Sequence, residues 1–314
     1  MTDIPSRTTH QYRMAGLQVE SDIALPMRVQ WHPATDFTAD LSMQLGEVPE
    51  RLVDARRRGA NWSVDDHHFL LDLPGIARFL ASDGRRLVFS PAPGIAVDNI
   101  LVFATGTALA AILYQRGALL LHGSAVVHEG QAYIFCGQSG AGKSTLAGAL
   151  SQAGCGFLSD DFCSIEQTGG GQPMVQPDGR ALRLYRDSID RLNLTESMGP
   201  KIRQWIDKFH VALPEAAPDG LQGAPLAAIY ILRDSSPASP PGITALQPLS
   251  AAQALLHETY RRRLALAYCD QGRLAARTTA LLSHARVYQL RRPRDLTKLG
   301  EMVDMLKSHW KPGS

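Results

Sequence analysis

Gly137-Gln138-Ser139-Gly140-Ala141-Gly142-Lys143-Ser144 decides how the rest of the chain is read. These eight residues satisfy G-x-x-x-x-G-K-[ST] at every fixed position, and Thr145 follows. Just before them, Ala132-Tyr133-Ile134-Phe135-Cys136 is an apolar run of buried-strand length. Just after, Ser144 to Ala153 spaces Leu146 and Leu150 four apart among alanines, and Gly154 stands where a helix stops. Strand, glycine loop and helix in that order turn backbone N–H groups, and the positive end of a helix dipole, on an anion. The glycines let the main chain approach without a side chain in between. The residues expected to contact a nucleotide are therefore Gly137, Gln138, Ser139, Gly140, Ala141, Gly142, Lys143, Ser144 and Thr145. Lys143 is the point charge for the β- and γ-phosphates, and Ser144 offers a hydroxyl to Mg²⁺.

Working outward, Gly156-Phe157-Leu158-Ser159 is the next strand and ends at Asp160-Asp161, which follow Lys143 by 17 and 18 positions. In a parallel sheet the edge that carries a phosphate loop also carries the end of that strand, so both carboxylates should face the nucleotide. Phosphoryl transfer needs charge neutralisation, in-line placement and a group to accept the proton of the attacking hydroxyl. Adjacent carboxylates can divide that labour, one to the metal and one to the acceptor. His122 closes the apolar triplet Leu119-Leu120-Leu121 on a strand expected over Ala118 to Val127. The Glu129-Gly130 turn should set that strand beside the loop strand. A protonated imidazole there would lower a nearby carboxylate's pKa and orient it.

These blocks carry a resemblance. His122-Gly123-Ser124-Ala125-Val126, the loop through Thr145, and Ser159-Asp160-Asp161 are similar, in this order and with similar gaps, to the catalytic domain of HPr kinase/phosphorylase and its shorter relatives. The likeness covers roughly residues 98–235 and continues weakly to Leu290-Arg291-Arg292-Pro293-Arg294-Asp295-Leu296, which resembles a segment of the short relatives. It implies an α/β fold with a P-loop, HPr kinase-like sheet-and-helix core, and an ATP- and Mg²⁺-dependent kinase acting on a protein or peptide serine. Carried over position by position, it implies Asp160 as catalytic base and Asp161 as its acidic neighbour at the metal. It likewise implies His122 as partner of the base, Lys143 as the phosphate-binding lysine and Ser144 as the Mg²⁺ ligand. The chain departs from the full-length enzymes at Gly179-Arg180-Ala181-Leu182-Arg183, where they carry a Glu-x-x-Gly-Leu-Gly-type signature, and at Gln138, where many have aspartate. The short relatives look like tailoring kinases of peptide-biosynthesis clusters, so the implied acceptor is a serine of a ribosomal, lasso-type precursor peptide. HPr itself with phosphorolysis, free serine as acceptor, and a regulator that binds ATP without transfer are the alternatives left open.

The remaining chain frames this centre. Residues 11–97 hold strand-like pieces: Gly16 to Glu20 and Ala77 to Ala81 alternate, His68 to Asp72 is apolar, and an Asp83-Gly84 turn precedes Arg86. They predict a small, mostly β N-terminal domain over residues 1–97, with a helix near Leu45 to Arg58, suited to docking a substrate. Asp65-Asp66-His67-His68 reads as a polar turn, because neighbours on a strand point to opposite faces and do not converge on an ion. The catalytic domain is expected over residues 98–314 and opens with a helix over 98–115. The stretch 195–224, rich in Pro, Gly and Lys, reads as a mobile segment over the site. Leu226 to Leu232 is a strand, 249–262 and 270–284 are helices, Arg286 to Leu290 is a last strand, and Leu296 to Ser308 a terminal helix. Arg183, Arg186 and Lys208 are candidates to bind transferring phosphate or an acidic peptide.

Bulk properties narrow the class. Of 314 residues, 45% are hydrophobic and 20% charged, with a net charge of +2, as in a soluble globular protein and without the basic excess of a nucleic-acid binder. Four cysteines without C-x-x-C spacing point to buried thiols in a reducing, cytoplasmic compartment. The apolar stretch Ile100 to Tyr114 is too short for a bilayer and reads as a buried helix. Composition thus points to neither nucleic acid nor membrane as a partner; the serine-bearing peptide or small protein is what the resemblance implies, and oligomerisation stays open.

Overall fold

The computed structural model describes residues 9–27, 37–167, 171–203, 206–213 and 223–311, and it divides into two compact units, Met1–Ala118 and Leu119–Ser314. The architecture is mixed α/β.

The first unit is built on one sheet. Its strands are β1 (His10–Met14), β2 (Leu17–Ser21), β3 (Leu41–Leu45), β4 (Arg57–Arg58), β5 (Trp62–Val64), β6 (His68–Leu73), β7 (Ala77–Ser82) and β8 (Arg86–Pro91). They lie in the order β1-β2-β3-β8-β7-β6-β5-β4. Alternation in sequence becomes alternation in burial: β2 and β7 each bury every second side chain. A helical run follows, α1 (Val97–Phe103), a π-helical turn (Ala104–Ala108) and α2 (Leu109–Gln115). It belongs with this sheet, so the units divide after the helix and not at residue 97. The Phe103 ring lies 6.5 Å from that of Phe79, and Gln115 accepts from the Gly84 N–H at 2.8 Å. At 19 residues the run is long and apolar enough to cross a membrane by length and composition, contrary to the shorter stretch expected, and 67% of it is buried.

No helix forms over 45–58. Pro49 removes a backbone donor, and Val48 and Leu52 instead bury against Leu70 and Val88. Arg56 then donates its N–H to Val64, which leads the chain into β4. Asp65 accepts the N–H groups of His67 and His68 at 2.8 and 2.7 Å, the polar turn expected there.

The second unit contains β9 (Leu119–Leu121), β10 (Gly123–His128), β11 (Gln131–Cys136), α3 (Lys143–Gln152), β12 (Gly156–Ser159), β13 (Cys163–Glu166), β14 (Met174–Gln176), β15 (Leu182–Tyr185), α4 (Arg186–Arg191), β16 (Met198–Arg203), β17 (Ile206–Val211), β18 (Ala224–Asp234) and β19 (Gly242–Ala245). After these come α5 (Pro248–His257), α6 (Arg262–Tyr268), α7 (Gln271–Ala280), β20 (Arg286–Arg292) and α8 (Leu299–His309). The main sheet runs β12-β10-β11-β18-β14-β13-β9, with β20 against β18 and β19 against β20. It is mixed where a parallel sheet was expected: β10 is antiparallel to both β11 and β12, while β11, β18 and β20 are mutually parallel. Two antiparallel steps restore direction, so β12 still runs the same way as β11. The C-terminal ends of β12, β11, β18 and β20 therefore share one edge.

Two expected elements divide. The strand expected over 118–127 breaks at His122: β9 pairs with β13, whereas β10 pairs with β11 and β12. The stretch 195–224 supplies β16 and β17, which form a small sheet with β15 in the order β15-β17-β16, while residues 214–222 lie outside the described ones. The helix expected over 249–262 ends at His257, and Arg261 adopts a φ of +46° before α6 starts.

The core of this unit sits between the main sheet, α3, α8 and the small sheet, with Phe135, Leu146, Leu150, Phe157, Leu184, Tyr230 and Leu306 buried. Gly148 permits the small sheet to come close to α3; a Cβ there would lie 3.1 Å from Leu182 and Leu192. At the end of α8, Trp310 stacks on Tyr133 at 4.0 Å and donates its indole N–H to the Tyr230 hydroxyl at 2.9 Å. All four cysteines are free, and Cys136, Cys155 and Cys163 are buried. Phe135 is fully buried and stacks on Tyr230 at 5.5 Å, two positions before the glycine loop starts at Gly137. Phe135→Ala is expected to lower the unfolding free energy by about 3–5 kcal/mol through lost burial and a cavity. Urea unfolding curves of the two proteins check this, and an unchanged midpoint would contradict the packing.

Candidate functional site

Seven side chains from five segments meet at the shared edge: His122, Ser124, Lys143, Ser144, Asp160, Asp161 and Arg183. Together with Tyr185, Lys208, Arg292 and residues of the glycine loop, most of them line a cleft of about 290 Å³ in the second unit. The cleft exists because β11 ends at Cys136 and the chain must turn sharply into α3. Gly142 makes that turn with a φ of +78° and serves as the cap residue preceding Lys143.

Lys143 folds back over its own loop. Its ammonium donates to the carbonyls of Gly137 and Gln138 at 2.7 and 3.1 Å and to Nε2 of His122 at 3.1 Å. An ammonium can donate to Nε2 only if that nitrogen is unprotonated, so the His122 proton sits on Nδ1 and is donated to the Asp161 carbonyl at 2.8 Å. Burial, and then the charge on Lys143, push the His122 pKa below its ordinary value. Burial likewise lowers Lys143, against the pull of nearby acidic groups. His122 is thus a neutral spacer between Lys143 and the main chain of the acidic doublet. This replaces the protonated partner of a carboxylate expected from sequence. The break between β9 and β10 frees its backbone N–H, which donates to the Glu258 carbonyl at 2.6 Å.

The doublet is divided by its surroundings. Asp160 is 3% exposed, and its Oδ1 accepts the hydroxyls of Ser124 and Ser144, each at 2.7 Å. Its Oδ2 accepts the Arg183 N–H at 3.3 Å, and its backbone is held by the Asp178–Arg180 ion pair. Asp161 has a φ of +77°, in the left-handed region that residues other than glycine rarely adopt. Its carboxylate meets Arg183 at 3.1 Å and accepts the Tyr260 hydroxyl at 3.1 Å, and its side chain keeps 29% of its exposure. Burial works against both charges. For Asp160 the charges of Lys208 and Arg183 and the two serine hydroxyls outweigh it; for Asp161 the charges of Arg183 and Arg180 do so. Both carboxyls are held below the ordinary carboxylate value, Asp161 the further.

Other sequence candidates fall differently. Arg183 is committed to the two carboxylates and so is no free phosphate ligand. Arg186 lies over the Phe209 ring at 4.5 Å. Lys208 stands at the cleft rim with Tyr185, which is half exposed. Within the loop, Ser139, Gly140, Gly142, Lys143, Ser144 and Thr145 line the cleft, whereas Gly137, Gln138 and Ala141 shape it through their main chain. Glu258 went unnoticed in the sequence. It is 4% exposed, and its Oε2 accepts the Gly137 N–H at 3.2 Å from beneath the loop. The one signal for it is an acidic residue two positions after the apolar stretch Ala254-Leu255-Leu256, with His257 between. Among the described residues no group of three His, Cys, Asp or Glu could hold a metal ion on its own.

No family model matches the chain, and no curated protein matches it. Among solved structures, the structure of the Hpr(Ser) kinase/phosphatase from Coxiella burnetii is 11% identical, over 60% of this chain and 95% of that one, with a TM-score of 0.32. At that score the likeness decides nothing, and the chemistry must come from the side chains in place.

Arg183 is the cation that lies against both carboxylates and helps keep them charged, which fixes a pH dependence. The folded-state pKa values of Asp160 and Asp161 lie below 3.8, so the stability they contribute is present above that pH and is lost as pH falls through the folded values. Arg183→Met is expected to cost about 3–5 kcal/mol at pH 7, because it strands buried charge. Urea titrations at pH 7 and at pH 3 should show that difference shrinking in acid. A pH-independent difference would mean the guanidinium acts by packing alone.

Proposed function

We propose that the chain is an ATP- and Mg²⁺-dependent kinase that phosphorylates a serine hydroxyl of a peptide or small protein. One observation supports this above the others: the Ser144 hydroxyl at the helix start and the Asp160 carboxylate are joined at 2.7 Å, with Lys143 and Asp161 beside them. A site that only bound Mg·nucleotide would have use for the loop, its lysine and one carboxylate at the metal, but less for a second charged carboxylate open to the cleft.

The residues fit Mg²⁺ brought with a nucleotide better than a resident metal. Mg²⁺ takes oxygen ligands, keeps several waters and commonly uses one or two carboxylates plus substrate phosphates. Ser144 Oγ and Asp160 Oδ1 offer two adjacent oxygens, and with no larger acidic cluster the remaining ligands fall to phosphate and water. Bound there, Mg·ATP supplies an electrophilic terminal phosphoryl group whose charge the metal partly neutralises. Lys143 leaves the loop carbonyls for the phosphate oxygens, and the loop N–H groups hold the phosphate chain. His122, neutral, accepts from Lys143 and limits where its ammonium can point.

We read the acidic pair in the reverse of the order implied by resemblance. Asp160 is buried, and its oxygens are filled by two hydroxyls, a backbone N–H and Arg183, so it suits the metal side through Ser144. Asp161 keeps an exposed edge on the cleft and suits the serine hydroxyl of the acceptor, orienting it and taking its proton late in a loose transition state. The acceptor class itself rests on the motif resemblance and is the part most open to test.

The experiment pairs phosphoryl transfer from labelled ATP to serine-bearing peptides with Mg·ATP affinity. Asp161→Asn is expected to cut transfer by roughly 10²–10⁴-fold while affinity stays within about threefold. Asp160→Asn is expected to weaken Mg²⁺-dependent affinity as well. The opposite split restores Asp160 as base. Wild-type protein that binds Mg·ATP but labels no acceptor would leave a nucleotide-binding regulator.

A further inference from the structure

Arg292 is the last residue of β20 and lines the same cleft. Its guanidinium donates to the carbonyl of Ala141 inside the glycine loop and, at 3.0 Å, to that of Pro293. It lies so close to the loop that a Cβ on Gly142 would come within 2.6 Å of Nη2. The nearest carboxylate that acts on it, Asp234, is itself bound by Arg294 at 2.8 Å. A partly buried guanidinium thus rests on main-chain carbonyls beside Lys143 and the positive end of α3. Three like-signed features crowd one spot, an arrangement that a bound polyanion relieves.

Sheet order says which part of the polyanion. Along the shared edge, the acidic doublet ends β12, two strands to one side of the loop strand β11, and Arg292 ends β20, two strands to the other side. Strands are spaced about 4.8 Å apart, so the main chain of the doublet and that of Arg292 stand roughly 10 Å from the loop strand on opposite sides, and their side chains reach in over the loop. If the terminal phosphoryl group faces Ser144, Asp160 and Asp161, the phosphate chain crosses the loop and its nucleoside end points toward β20.

The geometry points to Arg292 as a nucleotide-phosphate ligand that grips the α-phosphate side of ATP and of ADP from the strand opposite the acidic doublet. The inference rests on the kinase reading of the same cleft. Arg292 would exchange the Ala141 carbonyl for phosphate oxygens, taking two of them with its fork, as guanidinium groups do. Because that end of the chain is common to substrate and product nucleotide, the contact serves binding and orientation and favours neither.

Titration calorimetry on the full chain with Mg·ATP and Mg·ADP tests this. Arg292→Gln is expected to weaken both nucleotides by the same factor, roughly 10- to 100-fold, the worth of a charge-assisted contact. Arg292→Lys, which keeps the charge and loses the fork, should fall between. The thermal midpoint without nucleotide should move by less than about 3 °C in the Lys variant, which separates a phosphate contact from a clamp on the loop. Weakening of ATP alone would put the guanidinium at the terminal phosphate and overturn the proposal, and so would wild-type affinity in both variants. Wild-type protein that binds neither nucleotide would instead sink the kinase reading beneath it.

Discussion

Two adjacent carboxylates at one sheet edge, Asp160 buried and Asp161 open to the cleft, must be kept charged, and the guanidinium of Arg183 is the cation that lies against both. It contacts Asp161 at 3.1 Å and lies 3.9 Å from Asp160, while the Asp178–Arg180 pair fixes the main chain of Asp160 from behind. Remove that balance and the doublet would protonate or move into solvent. With it, the Ser144 hydroxyl has a fixed acceptor at the first turn of α3, and the loop, the helix and the end of β12 are tied to one point. The local preference of each segment is modest; the charge balance sets how they meet.

Along the edge the charges are ordered. Acidic groups with their guanidinium lie on the β12 side, Lys143 and the helix N-terminus in the middle, and Arg292 on the β20 side. Such an order suits an elongated anion with a reactive end, since charge there is neutralised where bonds change and gripped where they do not. His122 keeps this pattern intact by staying neutral; a second cation beside Lys143 would crowd the centre.

The sequence was most legible where chemistry and local structure coincide. The Gly137–Ser144 loop, the strand before it and the helix after it follow from glycine spacing and apolar pattern, and they fold as read. The meeting of Asp160 with Ser144 was legible in outline, though through a mixed sheet, because an even number of reversals leaves strand direction unchanged. What failed depended on distant partners. The break at His122 is set by a carbonyl from Glu258, and the place of Glu258 under the loop is set by Gly137, 121 residues away. Arg183 looked like a free cation because the carboxylates that claim it lie 22 and 23 positions earlier. The helix expected near 45–58 failed for a similar reason: Val48 and Leu52 have helical spacing, but a sheet buries them as a loop.

The central claim is one of direction: the reactive end of a nucleotide lies between Lys143 and the acidic doublet. A crystal structure with Mg²⁺ and a non-hydrolysable ATP analogue tests it most directly. The account predicts the metal on Ser144 Oγ and the terminal phosphate within reach of Lys143 and Asp161. A nucleotide bound with that phosphate pointing away from Asp160 and Asp161, or bound outside the glycine loop, would contradict it.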